Sequence, residues 1–199
     1  MKSKILALLA AGLLAGPIAT HAAAITYEVS AVASGTLGTT PFTASLITFT
    51  SVGGETSEVI NPSTGVFRNF STTAFSVTGV GAGTITDSTF WFANQNCNEG
   101  IGCAGVVLDT AMSSILYANS AELLTYSLNS AIGPVTGPSF AFPMNIATTA
   151  GILRLTAPNF TVGPATFRAF TASVPEPGTL ALLGLGLAGL GLSRRRKTH

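Results

Sequence analysis

Between Ile25 and Ser173 the chain offers little that favours a helix. Thr, Ser, Gly, Ala and Val dominate this stretch, Lys is absent from it, and Glu, Gln and Met are scarce. β-branched and aromatic side chains fit a pleated, half-buried surface, whereas helix interiors prefer the straight-chain residues that are missing here. Gly and Pro punctuate the stretch roughly every ten residues, which leaves runs of strand length. At about 150 residues the body suits one domain with a sizeable core.

The runs can be placed one by one. Ile25–Ala33 reads as a strand, as does Phe42–Thr50, where Phe42, Ala44 and Leu46 alternate before Ile47 breaks the pattern. Asn61-Pro62-Ser63-Thr64-Gly65 is a turn between Ser57–Ile60 and Val66–Phe70. Thr73–Val80 and Ile85–Ala93 flank a bend at Gly79–Gly83 and read as consecutive antiparallel strands, and Val106–Leu108 as a short buried one. Ser113–Ser130 fits either a helix face (Ile115, Leu116, Leu123, Leu124, Leu128) or a strand in which Leu124, Tyr126 and Leu128 alternate; the neighbours favour the strand. Phe140–Ile146, Ile152–Thr156 and Thr166–Ser173 complete the set. No repeat period is visible, so the expectation is all-β: a single β-sandwich, jelly-roll-like, over residues 25–173.

The body's charge is sparse. Arg68, Arg154 and Arg168 stand against Glu28, Glu55, Glu58, Asp87, Glu99, Asp109 and Glu122, a net charge of −4. An acidic body without a basic patch argues against nucleic acid as a partner, since phosphate binding needs Lys and Arg. The histidines, His21 and His199, both lie outside the body. Without His or Lys there is no Ser-His-Asp or Cys-His nucleophile, no Ser-Lys dyad, no Schiff-base lysine and no histidine metal site. No cofactor, no metal and no catalytic residue is therefore expected. Carboxylate pairs remain as a glycosidase option, but nothing in their spacing supports it. Asn94–Glu99 is an oxygen-rich loop with too few carboxylates for tight Ca²⁺ binding, and reads as a polar hairpin tip.

Two further features concern binding and stability. Phe90-Trp91-Phe92 places alternate aromatics on opposite faces of one strand, so Trp91 is a sugar-contact candidate unless both faces are covered. Cys97 and Cys103 are the sole cysteines and lie six positions apart across Gly100 and Gly102. In an exported chain they should form a disulfide.

Both ends read as processing segments. Lys2 and Lys4, the apolar run Ile5–Ala19 and the small residues through Ala24 form a secretory signal over residues 1–24, with cleavage after Ala22 or Ala24. At the other end Val174, Pro175, Glu176 and Pro177 precede a Leu/Gly/Ala run, Thr179–Leu192, and the basic cluster Arg194, Arg195, Arg196 and Lys197. Fourteen helical residues would span only about 21 Å of a hydrocarbon core of roughly 30 Å, a short transmembrane helix and a marginal anchor. The basic cluster would orient it with the body outside.

Residues 174–199 closely resemble the PEP-CTERM sorting signal of Gram-negative bacteria, down to VPEPGTLALLGLGLAGLGLSRRR. The resemblance implies export across the inner membrane, transient anchoring there, and recognition at Val174–Pro177 by exosortase, a membrane-embedded transpeptidase-like cysteine protease. It also implies a cell-surface or extracellular destination with exopolysaccharide as an associate. Such segments are also described as ice-binding protein C-terminal domains, and Thr48/Thr50 and Thr84/Thr86 are Thr-x-Thr pairs, without a fixed interval. The chain thus reads as a non-enzymatic envelope or matrix protein. The alternatives are a glycan- or ice-binding module and, third, a carboxylate glycosidase. Mass spectrometry of the protein from an exosortase-bearing host should find the C-terminal segment removed; recovery of an intact chain through His199 would make the segment a permanent anchor.

Overall fold

The computed structural model describes residues 24–52, 58–61, 65–98, 100–140, 144–156 and 163–171. All but the last residue of the signal reading (residues 1–24), and the whole sorting segment (residues 174–199), lie outside the described residues. In chain order the strands are β1 (Ile25–Leu37), β2 (Thr40–Val52), β3 (Glu58–Asn61), β4 (Val66–Phe70), β5 (Thr72–Val77), β6 (Gly81–Thr84) and β7 (Thr89–Asn98). There follow β8 (Ile101–Leu108), β9 (Ser113–Ser120), β10 (Ile132–Gly137), β11 (Ser139–Phe140), β12 (Asn145–Thr148), β13 (Gly151–Thr156) and β14 (Ala165–Thr171). Among the described residues the helical content is two 3₁₀ turns, Asp109–Ala111 and Ala121–Thr125.

These strands form two antiparallel sheets. The first has the order β10-β14-β1-β2-β5-β6, with the β12–β13 hairpin attached to β1 through β13; the second runs β11-β9-β8-β7-β4-β3. One core joins them: Tyr27, Val29 and Phe167 of the first sheet pack with Trp91, Val106 and Leu116 of the second. The all-β expectation holds, with more strands than the eight of a jelly roll.

β1 alternates with period 2, burying Tyr27, Val29, Ala31, Ala33 and Leu37. At its far end the first sheet nearly closes on itself. Ile85 bridges Thr148, the Thr86 N–H donates to the Ala147 carbonyl at 3.0 Å, and the Thr149 N–H donates to that of Thr84 at 2.9 Å. The circuit β1-β2-β5-β6-β12-β13 is filled by Phe42, Phe75, Ile85, Ile146 and Leu153. Gly35 is required there: a Cβ at that position would sit 2.0 Å from the Arg154 carbonyl oxygen.

Three sequence expectations change. In β2, Phe42 and Ile47 both point inward although they differ in parity, while Leu46 is exposed. The register shifts between Ala33 and Gly35 of β1, opposite Ala44, whose φ of 48° is left-handed and whose N–H donates to Ser34 Oγ at 3.1 Å. A bulge of this kind inserts one residue and flips every later side chain. Ile85–Ala93 is not one strand: Ile85 closes the first sheet, and β7 begins at Thr89 in the second. Ser113–Ser130 includes β9 and the 3₁₀ turn Ala121–Thr125, in whose first turn Ser120 Oγ accepts from the Glu122 N–H.

The core carries a polar network. The Tyr27 hydroxyl donates to the Leu128 carbonyl at 2.5 Å and accepts from Asn69 Nδ2 at 3.2 Å; the Tyr126 hydroxyl donates to the Ser130 carbonyl. Burial raises the Tyr27 phenol above its ordinary value of 10, partly offset by the Asn69 hydrogen bond. Burial, reinforced by Tyr27, raises that of Tyr126 further. In the unfolded chain both ionise near pH 10, whereas the native protein holds both protons more tightly. Their contribution to stability is therefore complete below pH 10 and is lost as the pH rises above it. In an alkaline titration followed by phenolate absorbance and far-ultraviolet circular dichroism, Tyr27 and Tyr126 should ionise only as the β signal disappears. Full ionisation near pH 10 with the fold intact would contradict this.

Candidate functional site

Trp91 is not available to a ligand. Its side chain is 0% exposed and packs between Tyr27 and Phe167, with ring centroids 5.9 and 6.4 Å away. Its Nε1–H has no hydrogen-bond partner among the described residues. The opposite face of β7 is covered as well: Phe90 packs against Phe70 with Arg68 over its ring at 4.5 Å, and Phe92 meets Tyr117 edge-on. The sugar-platform expectation for Trp91 fails because both faces of its strand are occupied, which the alternation of aromatics does not reveal by itself.

The outward face of the first sheet has a different composition. Residues of opposite parity to the core point outward on β1, and the register carries this across neighbouring strands. Thr136 pairs with Thr166, Thr166 with Ser30, Ser30 with Thr48, and Thr48 with Ser76. Five hydroxyl side chains from five strands thus form one row. At about 4.8 Å between strands it is roughly 19 Å long. Thr136 Oγ1 and Thr166 Oγ1 lie 2.9 Å apart and hydrogen-bond each other. The hydroxyls of Ser30, Thr48 and Ser76 take no partner among the described residues. One step along the strands lies a second row, Arg168–Glu28–Thr50–Ala74–Thr84. Its ion pair is bidentate, with Arg168 Nε and Nη2 donating to the Glu28 carboxylate at 2.9 and 2.8 Å. That hydrogen bond raises the Arg168 guanidinium further above its ordinary range. Val32 and Leu46 border the hydroxyl row on its other side.

Carboxylates do not converge. Glu28 is held by Arg168. A shallow cleft of about 280 Å³ between the sheets, lined by Phe70, Ser71, Thr72 and Ile85 through Thr89, holds a single carboxylate, Asp87. Two acids across a substrate are what glycoside hydrolysis needs. No group of three His, Cys, Asp or Glu side chains suited to a metal ion occurs among the described residues. In the Asn94–Glu99 stretch, Asn94 Oδ1 accepts from the Asn96 N–H at 2.9 Å and Gln95 Nε2 donates to the Tyr126 carbonyl at 3.3 Å, while Glu99 lies outside the described residues. Two of its amides are thus engaged within the fold.

Val174, Pro175, Glu176, Pro177 and the Arg194–Lys197 cluster lie outside the described residues, directly after β14. Residues 173–197 match the PEP-CTERM protein-sorting motif. This chain carries an exosortase sorting signal. A motif of this kind implies export and transient anchoring in the membrane during sorting. The described residues include no helix long and apolar enough to cross a membrane. Comparison of the chain with curated proteins and with solved structures gives no match.

Export agrees with the cysteines of this chain. Cys97 and Cys103 form a disulfide across the β7–β8 hairpin, with Cys103 fully buried. Closing so small a loop contributes about 2 kcal/mol in the chain-entropy model. Thiol titration of the unreduced mature protein should find no free cysteine, and Cys97→Ser with Cys103→Ser should lower stability to denaturant by that amount. Two titratable thiols would remove the bridge from the account.

Proposed function

We propose that this PEP-CTERM protein is a non-enzymatic envelope or matrix component that holds exopolysaccharide on the outward face of its first sheet. The row Thr136–Thr166–Ser30–Thr48–Ser76 carries this reading. A row of hydroxyls with free hydrogen-bonding capacity, bordered by Val32 and Leu46, suits a polyhydroxylated chain whose sugars also present apolar faces. Strand spacing is close to the length of one sugar in an extended polymer, so successive units can meet successive strands.

Ice is the other ligand that an ordered hydroxyl array suits, and sheet twist favours the polymer. Adjacent strands rotate by roughly 20–25°, so a five-strand row turns through about 80–100°. A rigid ice lattice cannot follow that turn, whereas a polymer with rotatable glycosidic bonds can. The glycosidase alternative would need a second carboxylate facing Asp87. The reading also accounts for the missing His and Lys: passive binding by neutral hydrogen bonds requires neither.

Replacing Ser30 by Ala and Thr48 and Thr166 by Val removes three hydroxyls while leaving the strands. At about 0.5–1.5 kcal/mol per hydrogen bond, this triple variant should bind the host's exopolysaccharide at least about tenfold more weakly. Binding is measured by co-sedimentation of the mature protein, with an unchanged melting temperature as the control for folding. Wild-type affinity in a folded triple variant would eliminate this face as the binding surface.

A further inference from the structure

The sorting segment leaves the described body at an end that is also its most apolar. The matched motif begins at Ser173, two residues beyond Thr171, and Thr171 pairs with Ile25, the first residue of β1. The pairing registers bring other strand ends to the same place. Val52 of β2 pairs with Thr72 of β5, and Ser71 alone connects Thr72 to Phe70 of β4. Phe70 pairs with Phe90 near the start of β7, Thr89 pairs with Leu108, and Leu108 with Ser113, so the turn bearing Met112 belongs to this end too. Val52, Phe70, Met112 and Phe170 are 55%, 39%, 59% and 37% exposed, half of the eight large exposed hydrophobics among the described residues.

We infer that, while its tail is anchored, the body stands with this end against the lipid surface and uses Val52, Phe70, Met112 and Phe170 as its contacts. The inference rests on the sorting of this chain through the membrane. The occupant follows from the covalent tether. Thr179, where the apolar run begins, lies eight positions after Thr171, and eight extended residues reach at most about 26–29 Å. A tether this short holds the end at millimolar effective concentration over the bilayer, so contacts too weak to bind a free protein become populated. An aromatic ring with a guanidinium above it suits the interfacial zone, and Arg168 lies 5.0 Å over the ring of Phe170.

Charge does not drive the contact. Arg68 and Arg168 stand with Glu28, Glu58, Asp87 and Asp109 towards this end, two cations against four anions, and Arg168 is already paired with Glu28. Anionic lipid therefore adds nothing to the attraction. The strands then stand across the plane of the bilayer, which leaves the hydroxyl row facing sideways into solvent. The turn at Gly38 and Thr39, at the other end of β1, points away from the membrane.

The full-length chain, reconstituted into phosphatidylcholine vesicles without exosortase, tests this. Met112→Cys and Thr39→Cys each receive an environment-sensitive dye under non-reducing conditions, with the native cysteines paired. A lipid-attached quencher should dim the dye at 112 at least threefold more than the dye at 39, with no change when anionic lipid is added. Equal quenching in chains that float with the vesicles overturns the orientation. Chains that do not float overturn the anchoring on which the inference rests.

Discussion

The long strand β1 holds the architecture together. Along one side it pairs with β2 from Glu28 to Leu37; along the other it pairs with β14 from Ile25 to Ser30 and then with β13 from Ser34 to Leu37. The first half of β1 lies in a sheet that packs face to face on the second sheet. Its second half lies in the part that curls towards closure. One strand can serve both because its neighbour is exchanged midway and the bulge at Ala44 of β2 adds local twist. The same strand fixes where the chain ends emerge, since Ile25 and Thr171 are register partners.

Packing depends on a few large side chains around β1. Tyr27, Trp91 and Phe167 stack across the gap between the sheets, and aromatic pairs of this kind add to simple area burial. Tyr27 serves twice, because its hydroxyl holds Leu128, a non-glycine residue with a φ of 60°. That backbone conformation costs free energy, and the buried hydrogen bond and the burial of Leu128 itself offset it. The two sheets are also joined at one end by buried hydroxyls: Thr73 and Thr89 hydrogen-bond at 2.8 Å, and Thr89 Oγ1 donates to the Ser71 carbonyl.

A sandwich stabilised in this way has two kinds of surface. The outer face of the second sheet is covered in part by its own aromatics, with Arg68 over Phe90 and Phe92 against Tyr117. On the outer face of the first sheet Ser30, Thr48 and Ser76 are short side chains that cannot cover one another, so their hydroxyls remain open. This contrast follows from residue size and makes the first sheet the surface on which the proposed binding is placed. The apolar side chains of Val52, Phe70, Met112 and Phe170 gather at one end of the described body, beyond the hydroxyl row.

By itself the sequence determined the all-β class, the sorting segment, the disulfide between Cys97 and Cys103, and the exclusion of histidine and lysine chemistry from the body. Each of these is local, depending on composition, on short spacing or on absence, and none requires knowing which strands are neighbours. Tertiary structure decided what depends on long-range pairing. The β2 bulge was hidden because Ile47 is apolar like Leu46, and only burial shows which of them faces the core. Trp91 resembles a ligand contact on paper, and only the second layer at Tyr27 and Phe167 shows it to be core. The hydroxyl row was equally invisible, since Ser30, Thr48, Ser76, Thr136 and Thr166 are scattered along the chain. Register aligns them, and register is fixed by which face of each strand must be buried.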